Sequence, residues 1–391
     1  MATKIRILPI LAILILSAFY PGMQLVSRAQ IQPAQPELVA APTPNSGAAA
    51  KQALVLGPDQ FPEGVNPLTG LPVKDPSLLS LPPALISVTN FPVSARPQAG
   101  LSFSPYVFEV FIGEGMTRFL ALFYGEYPQK SVTSSAQSNL ATDKAAVGPI
   151  RSGRLSYESL RSLYNGFLVI ASASKEVRSQ LTDSTNIFGS DNDNINSALI
   201  DVSKLQTIAQ ANATGKARNL TGNLFNQEAP QGGQAASKLW VFYSFLNQIM
   251  WTYDPASQAF LRAQDKADGS GNFYPSTDRL TGKQLAFENV VVLFAKHNVL
   301  NGSGTLIDLD LFFTRNRAYL FRDGKVYPIY WSTVSGDYEK ATGLMRPIRF
   351  VDREGKPFSL KPGKTWIEIV DETATVTEKD PGSWKARFYA P

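Results

Sequence analysis

The sequence predicts an α+β protein, with a mixed α/β sandwich over residues 61–230 and a mostly antiparallel β domain over residues 237–372. In the first region, strand-like apolar runs alternate irregularly with helical patterns. In the second, short apolar runs separated by turn residues follow one another. A stretch rich in Asn, Gly and Gln over residues 212–236 separates the two regions, which predicts a domain joint there.

The spacing of apolar residues predicts the N-terminal elements. Residues 106–112 and 116–124 are apolar runs joined by Gly113-Glu114-Gly115, a pattern typical of a β-hairpin. A helix is predicted over 155–164, where large apolar residues recur on one face. The other N-terminal predictions are strands at 84–88 and 167–171 and weaker helices at 174–181 and 201–211.

Strands and tight turns are predicted for the C-terminal region. Asp323-Gly324 lies between two apolar runs and supplies the positive φ that a two-residue hairpin turn requires. The predicted strands are 239–243, 249–253, 259–262, 290–295, 306–313, 318–322, 326–331 and 365–370. Residues 373–391 are predicted to be a tail.

Composition excludes several kinds of site. The 391 residues include no cysteine, which excludes disulfides, thiolate nucleophiles, iron–sulfur clusters and cysteine–zinc sites. The single histidine, His297, excludes a metal site built on a histidine pair, and its place after a buried strand favours a structural role. No cofactor is expected.

The formal charge of +5 at first suggests a nucleic-acid partner. However, Lys4, Arg6 and Arg28 belong to an N-terminal segment that contains no acidic residue. The rest of the chain has 34 basic and 32 acidic residues. The folded body is nearly neutral, so no nucleic-acid binding is expected.

The N-terminus predicts export. An apolar run over residues 7–20 follows a basic start, and Ser27-Arg28-Ala29 offers the small residues that a signal peptidase recognises. Because a spanning helix needs roughly 20 apolar residues, residues 1–29 are predicted to be a signal peptide, with an uncleaved anchor as the alternative. Residues 30–60, rich in Pro, Ala and Gln, are predicted to be a disordered linker. The protein is therefore expected outside the cell or at its surface, close to the membrane.

Glu109 is the first candidate site residue. It interrupts a strand that is apolar on both faces, so its carboxylate is expected to be buried and to need a partner. Arg118, on the returning strand, is the near candidate. An even-length loop would put Arg118 on the face of Glu109, and a three-residue loop would put it on the other face.

Arg151 and Arg154 precede the predicted helix at 155–164, where cations oppose the partial positive charge of the helix N-terminus. One interpretation is a cleft for an anionic ligand, formed by these two residues with Arg96 and Arg118. The other is an internal network of arginines with Glu109 or Glu114 that fixes the hairpin to the helix. The pattern slightly favours the network, because structural ion pairs cluster in the same way.

Two weaker patterns suggest a catalytic pair and a calcium site. Glu109 and Glu114, five residues apart across a turn, have the types and spacing of an acid/base pair for glycoside hydrolysis. Asp191 and Asp193 alternate with asparagines as in a calcium loop, but the glycine and glutamate of an EF-hand are missing. A solvated turn is therefore favoured over a calcium site.

Aromatic residues recur on the predicted C-terminal strands. Sugar-binding platforms have this pattern, but so does any antiparallel core, and packing is the favoured interpretation. These residues are Trp240, Tyr243, Trp251, Tyr253 and Trp331.

Taken in order, several motifs resemble those of the YerB-like lipoproteins, a family of unknown function. They are Asn66-Pro67-Leu68-Thr69-Gly70, residues 95–101, Glu109, residues 114–119, residues 148–154, residues 289–291, residues 322–325, Trp331 and residues 362–367. The resemblance implies an envelope-exposed α/β protein with a separate C-terminal domain, and it implies no activity. This chain departs from the family in having no cysteine to lipidate, and no histidine in the stretch 188–194, where many members have one.

Together these observations predict an exported cell-envelope protein that binds or scaffolds. Its expected partner is an anionic envelope ligand, or an envelope protein, at an arginine-lined cleft. A hydrolase that uses Glu109 and Glu114 on envelope polymers is the alternative, and a purely structural role is the third interpretation.

Overall fold

Strands dominate the part of the chain that the structure describes. This computed structural model describes residues 55–128, 145–186, 199–213, 218–334 and 337–391. The N-terminal strands are β1 (Val55–Leu56), β2 (Val65–Asn66), β3 (Leu71–Pro72), β4 (Ala84–Thr89), β5 (Tyr106–Gly113), β6 (Met116–Phe123), β7 (Ala146–Val147), β8 (Phe167–Ile170), β9 (Ser184–Asn186), β10 (Ile200–Asp201) and β11 (Phe225–Asn226). The C-terminal strands are β12 (Gln234–Ala235), β13 (Lys238–Ser244), β14 (Asn247–Asp254), β15 (Ala259–Gln264), β16 (Tyr274–Pro275), β17 (Ala286–Phe287), β18 (Asn289–Phe294), β19 (His297–Val299), β20 (Ile307–Leu309), β21 (Asn316–Arg322), β22 (Lys325–Ser332), β23 (Arg349–Val351), β24 (Thr365–Val370), β25 (Thr375–Asp380) and β26 (Ser383–Arg387).

Helices are few and short. They are α1 (Ser156–Leu163), α2 (Lys175–Arg178), α3 (Val202–Ala211) and α4 (Asp337–Thr342). Within the described ranges, none is long and apolar enough to cross a membrane.

The hairpin of β5 and β6 lies near the middle of a mixed sheet, which has eleven strands among the described residues. The order is β12–β22–β21–β18–β24–β5–β6–β4–β8–β9, and β23 pairs with β22. Strand β24, from the C-terminal half, runs parallel to both β18 and β5. The predicted α+β class is confirmed, and strands from both halves share this sheet. The domain boundary between residues 230 and 237 stays a prediction.

A second, smaller sheet is built from the C-terminal half. Its order is β16–β15–β14–β13–β26–β25, with β17 paired to β15. The prediction of a tail over 373–391 was wrong, because β25 and β26 form a hairpin and β26 pairs with β13. Burial of Trp384, Ala386 and Phe388 explains why these residues fold.

The start of the folded body also needs correction. Val55 and Leu56 pair with Asn226 and Phe225, so residues 55–60 belong to the fold and not to the predicted linker. Residues 1–54 lie outside the described part of the chain, and the signal peptide, anchor and remaining linker stay predictions.

The larger sheet is buried on both faces. One face packs against the smaller sheet through residues such as Phe119, Trp251 and Trp366. The other packs against α1 through residues such as Phe108 and Leu160. A strand in the middle of such a sheet has no exposed side, which explains why β5 is apolar at nearly every position.

Two local predictions are confirmed. The hairpin at 106–124 forms with the strands expected, and Asp323-Gly324 makes the turn between β21 and β22 with φ of 52° and 67°. Of the predicted aromatic positions, Trp251 and Trp331 are fully buried and Tyr243 is nearly so, as core packing requires.

Candidate functional site

The register of the β5–β6 hairpin separates Glu109 from Arg118. Glu109 lies opposite Phe119, whereas Arg118 lies opposite Val110 and so projects from the other face of the sheet. The register shifts by one residue between Phe111 and Gly113, where a bulge precedes the turn. Such a shift moves every later side chain to the opposite face. Of the two arrangements that the loop length left open, the structure has the one in which Arg118 and Glu109 lie on opposite faces.

Glu109 is instead paired with Arg262 in the interior between the two sheets. The Nη2 atom of Arg262 lies 2.9 Å from Oε2 of Glu109, and both side chains are almost completely buried. The hydroxyl of Thr117 donates to Oε1 of Glu109 at 2.6 Å. The Arg262 guanidinium also lies over the Trp366 ring, 4.7 Å from its centroid. This arrangement satisfies the buried carboxylate and links the two sheets.

A second buried carboxylate, Glu368, lies beside Glu109 in the same cluster. The two are register partners in the parallel strands β24 and β5. Glu368 accepts hydrogen bonds from the Trp251 Nε1 atom at 2.9 Å and from the Tyr243 hydroxyl at 3.1 Å. Burial, together with the neighbouring charge of Glu109, raises the pKa of Glu368 to about 8.

Sequence reasoning missed Arg262 and Glu368, although the signal used for Glu109 was present. Each is a charged residue inside an apolar strand, Phe260 to Ala263 in one case and Trp366 to Val370 in the other. The sequence does not reveal which of these charged residues meet, because that depends on pairing between distant strands.

Three of the predicted arginines share a cavity on the other face of the hairpin. Arg118, Arg151 and Arg154 line a cavity of about 580 Å³, which we call the arginine cavity. Its other lining residues are Phe91, Pro92, Val93, Ile112, Glu114, Met116 and Thr305. The lining thus combines three cations and one carboxylate with an apolar wall.

The segment 148–154 carries two of these arginines, Arg151 and Arg154. It runs antiparallel to the end of β4, where Ile150 lies opposite Val88. The amide of Arg151 donates to the Ser87 carbonyl at 2.9 Å. The Nη1 atom of Arg118 donates to the carbonyl of Ser152 at 2.8 Å, which fixes the third arginine to the same segment.

The three guanidinium groups have no carboxylate partner among the described residues. Among the residues that the structure describes, none of Arg118, Arg151 and Arg154 makes an ion pair within 4.0 Å, and the Nε atom of each is buried without a hydrogen bond. Burial, together with the charges of Arg154 and Arg151, lowers the pKa of Arg118 to about 10. Burial and Arg154 also lower the pKa of Arg151. The predicted network of these arginines with Glu109 or Glu114 does not form.

Arg96 lies apart from the arginine cavity, contrary to the prediction of a four-arginine cleft. Its Nε atom donates to the backbone and side-chain oxygens of Asn90, both at 3.1 Å, and its Nη1 atom donates to the Asp265 carbonyl at 2.6 Å. It lines a smaller cavity of about 250 Å³ that includes Lys266. Val93 is part of the lining of both cavities.

Glu109 and Glu114 do not share a cleft. Glu109 is sealed between the sheets, whereas Glu114 is exposed on the hairpin turn and lines the arginine cavity. Glycoside hydrolysis needs both carboxylates at one open site, so this geometry does not assemble the predicted acid/base pair.

The two remaining predictions, for the aspartates and for the histidine, have different outcomes. Asp191 and Asp193 lie in 187–198, outside the described residues, and the calcium interpretation stays a prediction. His297 is buried at a strand end with its Nδ1 atom 2.9 Å from the Ala295 carbonyl, as expected of a structural histidine.

Comparison with known proteins identifies the class of protein to which this chain belongs. The N-terminal domain of a protein family of unknown function, DUF3048, matches residues 68–227, and the C-terminal domain of that family matches residues 240–367. The chain is 27% identical over 336 residues to a Bacillus subtilis (strain 168) protein named "Putative lipoprotein YerB", covering 81% of this chain and 88% of that protein. The crystal structure of YerB from Bacillus subtilis has a TM-score of 0.60 and 25% identity, covering 78% of this chain and 96% of that one. The chain therefore belongs to the YerB-like family, which confirms the resemblance seen in the motifs.

Proposed function

We propose that this chain is a cell-envelope binding protein whose arginine cavity holds an anionic group, either a phosphate or a carboxylate. The observation that carries the proposal is the convergence of Arg118, Arg151 and Arg154 on one cavity without an ion pair among the described residues. Partly buried cations that repel one another are unfavourable unless an anion joins them. Guanidinium groups suit this role because they bind phosphate and carboxylate oxygens through two parallel hydrogen bonds.

The signal peptide or anchor predicted for residues 1–29 and a lipoprotein relative support an envelope location. Binding is favoured over hydrolysis because the two glutamates of the alternative lie in different environments. Glu114 on the rim of the cavity is suited to selecting among anions, since it repels those that approach it closely.

Thermal unfolding with inorganic phosphate tests this proposal. Phosphate is expected to raise the melting temperature of the wild type progressively, because a ligand at 100 times its Kd stabilises the folded state by about 2.7 kcal/mol. Arg151→Ala is expected to lose most of this response. Arg178→Ala removes an exposed arginine outside the cavity and is the matched control, expected to respond like the wild type.

Sodium chloride at equal ionic strength separates specific binding from screening. Equal responses of the wild type and Arg151→Ala to phosphate, acetate and sulfate would overturn the assignment of the arginine cavity as an anion site.

A further inference from the structure

Two loops next to the arginine cavity expose large apolar side chains to solvent. At the turn between β13 and β14, Phe245 is 79% exposed and Leu246 is 52% exposed. At the end of β19, Val299 is 40% exposed and Leu300 is 55% exposed. Single exposed apolar residues are common on protein surfaces. Adjacent pairs on two neighbouring loops instead indicate an interaction surface.

Both loops border the same turn, Gly113-Glu114-Gly115. On one side, the Ser244 hydroxyl donates to the Gly115 carbonyl at 3.1 Å. On the other, a Cβ atom at Gly113 would lie only 2.7 Å from the Gly304 carbonyl oxygen. Glu114, Met116 and Thr305 from these segments line the arginine cavity. The apolar loops and the three arginines therefore occupy one end of the β5–β6 hairpin.

Aromatic and basic side chains extend this surface along the smaller sheet. Phe242 packs against Phe245, with ring centroids 5.5 Å apart. The guanidinium of Arg387 lies over Phe242 and Tyr389, at 5.9 and 5.2 Å from the ring centroids. Half-exposed Tyr389 and exposed Arg387 next to an apolar tip have the composition of a membrane-interface belt.

We propose that this end of the molecule docks on a bilayer that contains anionic phospholipids, with a headgroup phosphate in the arginine cavity and both apolar loops in the interface. The inference rests on the proposed function, because it names the source of the anion. Leu246, Val299 and Leu300 have no flat ring on which a sugar could stack. Their transfer from water to the acyl boundary of a bilayer is favourable because it buries apolar surface. Basic residues near the surface add attraction to anionic headgroups.

The absence of cysteine allows a direct test in the full chain. Leu246→Cys and Leu300→Cys each place one label site on a different loop, and both side chains are exposed, so the fold should tolerate them. Leu71→Cys is the control. Leu71 is 44% exposed and belongs to the β2–β3 hairpin, which contacts Tyr124 at the far end of β6.

Each variant is labelled with an environment-sensitive fluorophore and mixed with vesicles of phosphatidylcholine, with or without phosphatidylglycerol. Labels at 246 and 300 are expected to shift to the blue and to be quenched by nitroxide lipids when phosphatidylglycerol is present, whereas the label at 71 stays in water. The apolar segment 7–20 can itself bind vesicles, so vesicle binding alone does not identify the docking surface. The depth of each label in the bilayer is therefore the readout. Adding Arg151→Ala should raise the lipid concentration for half-maximal shift about fivefold.

Several outcomes would overturn the inference. Labels at 246 and 300 that stay in water while inorganic phosphate still stabilises the wild type would refute docking and leave the proposed function intact. If Arg151→Ala leaves the lipid concentration for half-maximal shift unchanged, the headgroup phosphate does not bind in the arginine cavity. A shift that depends on protein concentration without vesicles would assign the surface to a protein partner instead. No response to phosphate or to vesicles would refute both proposals.

Discussion

At the residue scale, Glu109, Arg262 and Glu368 place two carboxylates near one guanidinium in an interior closed to solvent. The Glu109–Arg262 contact at 2.9 Å satisfies one carboxylate, and the aromatic rings over Arg262 keep water away. Among the described residues, the groups that donate hydrogen bonds to Glu368 are both neutral, Trp251 and Tyr243. Desolvation penalises its ionised form, so the protonated form prevails in the folded protein at neutral pH.

This protonation predicts a pH dependence of stability. The folded pKa of Glu368, about 8, lies above the unfolded value near 4.3. Between those values the folded state holds a proton that the unfolded state has released, so the free energy of unfolding falls as pH rises from 5 to 8. Its contribution to stability is fully present below pH 4 and is lost above pH 8.

Denaturant unfolding of the wild type and Glu368→Gln at pH 5, 6, 7 and 8 measures this contribution. The wild type is expected to lose stability relative to Glu368→Gln across the series, since the amide does not titrate. Parallel pH profiles for the two proteins would mean that Glu368 is ionised in the folded state.

At the element scale, the β5–β6 turn decides which side chains reach the arginine cavity. Gly113, Glu114 and Gly115 have φ of 102°, 53° and 74°, a run of left-handed residues that accommodates the bulge. Without that one-residue shift, Arg118 would point into the core with Glu109. The bulge thus supplies the third arginine of the cavity.

Gly113→Ala is expected to lower the free energy of unfolding by about 1–3 kcal/mol, because a non-glycine residue is strained at this φ. Its Cβ would also clash with backbone, which cannot rotate away as a side chain does. Gly302→Ala, on the neighbouring loop with open space around its Cβ position, should change stability by less than about 0.5 kcal/mol. Urea unfolding compares the two, and similar values would show that the turn tolerates a side chain.

At the scale of the whole molecule, the two halves matched by the family share one sheet. Strand β24 lies between β18 and β5, and Arg262 from the smaller sheet neutralises Glu109 from the larger one. Removing the C-terminal half would expose one edge of β5 and leave a buried carboxylate unpaired.

We therefore expect the body of the protein to unfold in one cooperative transition. Calorimetry of the full chain should give equal calorimetric and van't Hoff enthalpies. Two resolved transitions, one assignable to residues 61–230, would show instead that the halves fold independently.

Much of the local structure was predictable because it depends on short-range patterns. The continuous apolar runs of β5 and β6 and the spacing of apolar residues in α1 need no partner to be recognised. Burial of Glu109 followed in the same way, from its place in an apolar strand. Its partner did not follow, since Arg262 is 153 residues away in the sequence.

By itself, the sequence determined the positions of most of the longer strands, the lack of cysteine chemistry and the near-neutral charge of the body, all of which depend on residue type and spacing. The tertiary structure alone decided that Arg118 joins Arg151 and Arg154, that Arg96 does not, and that Glu368 lies beside Glu109. The physical reason is register. A shift of one residue turns a side chain to the other face of a sheet, and the pairing of distant strands selects which buried charges meet.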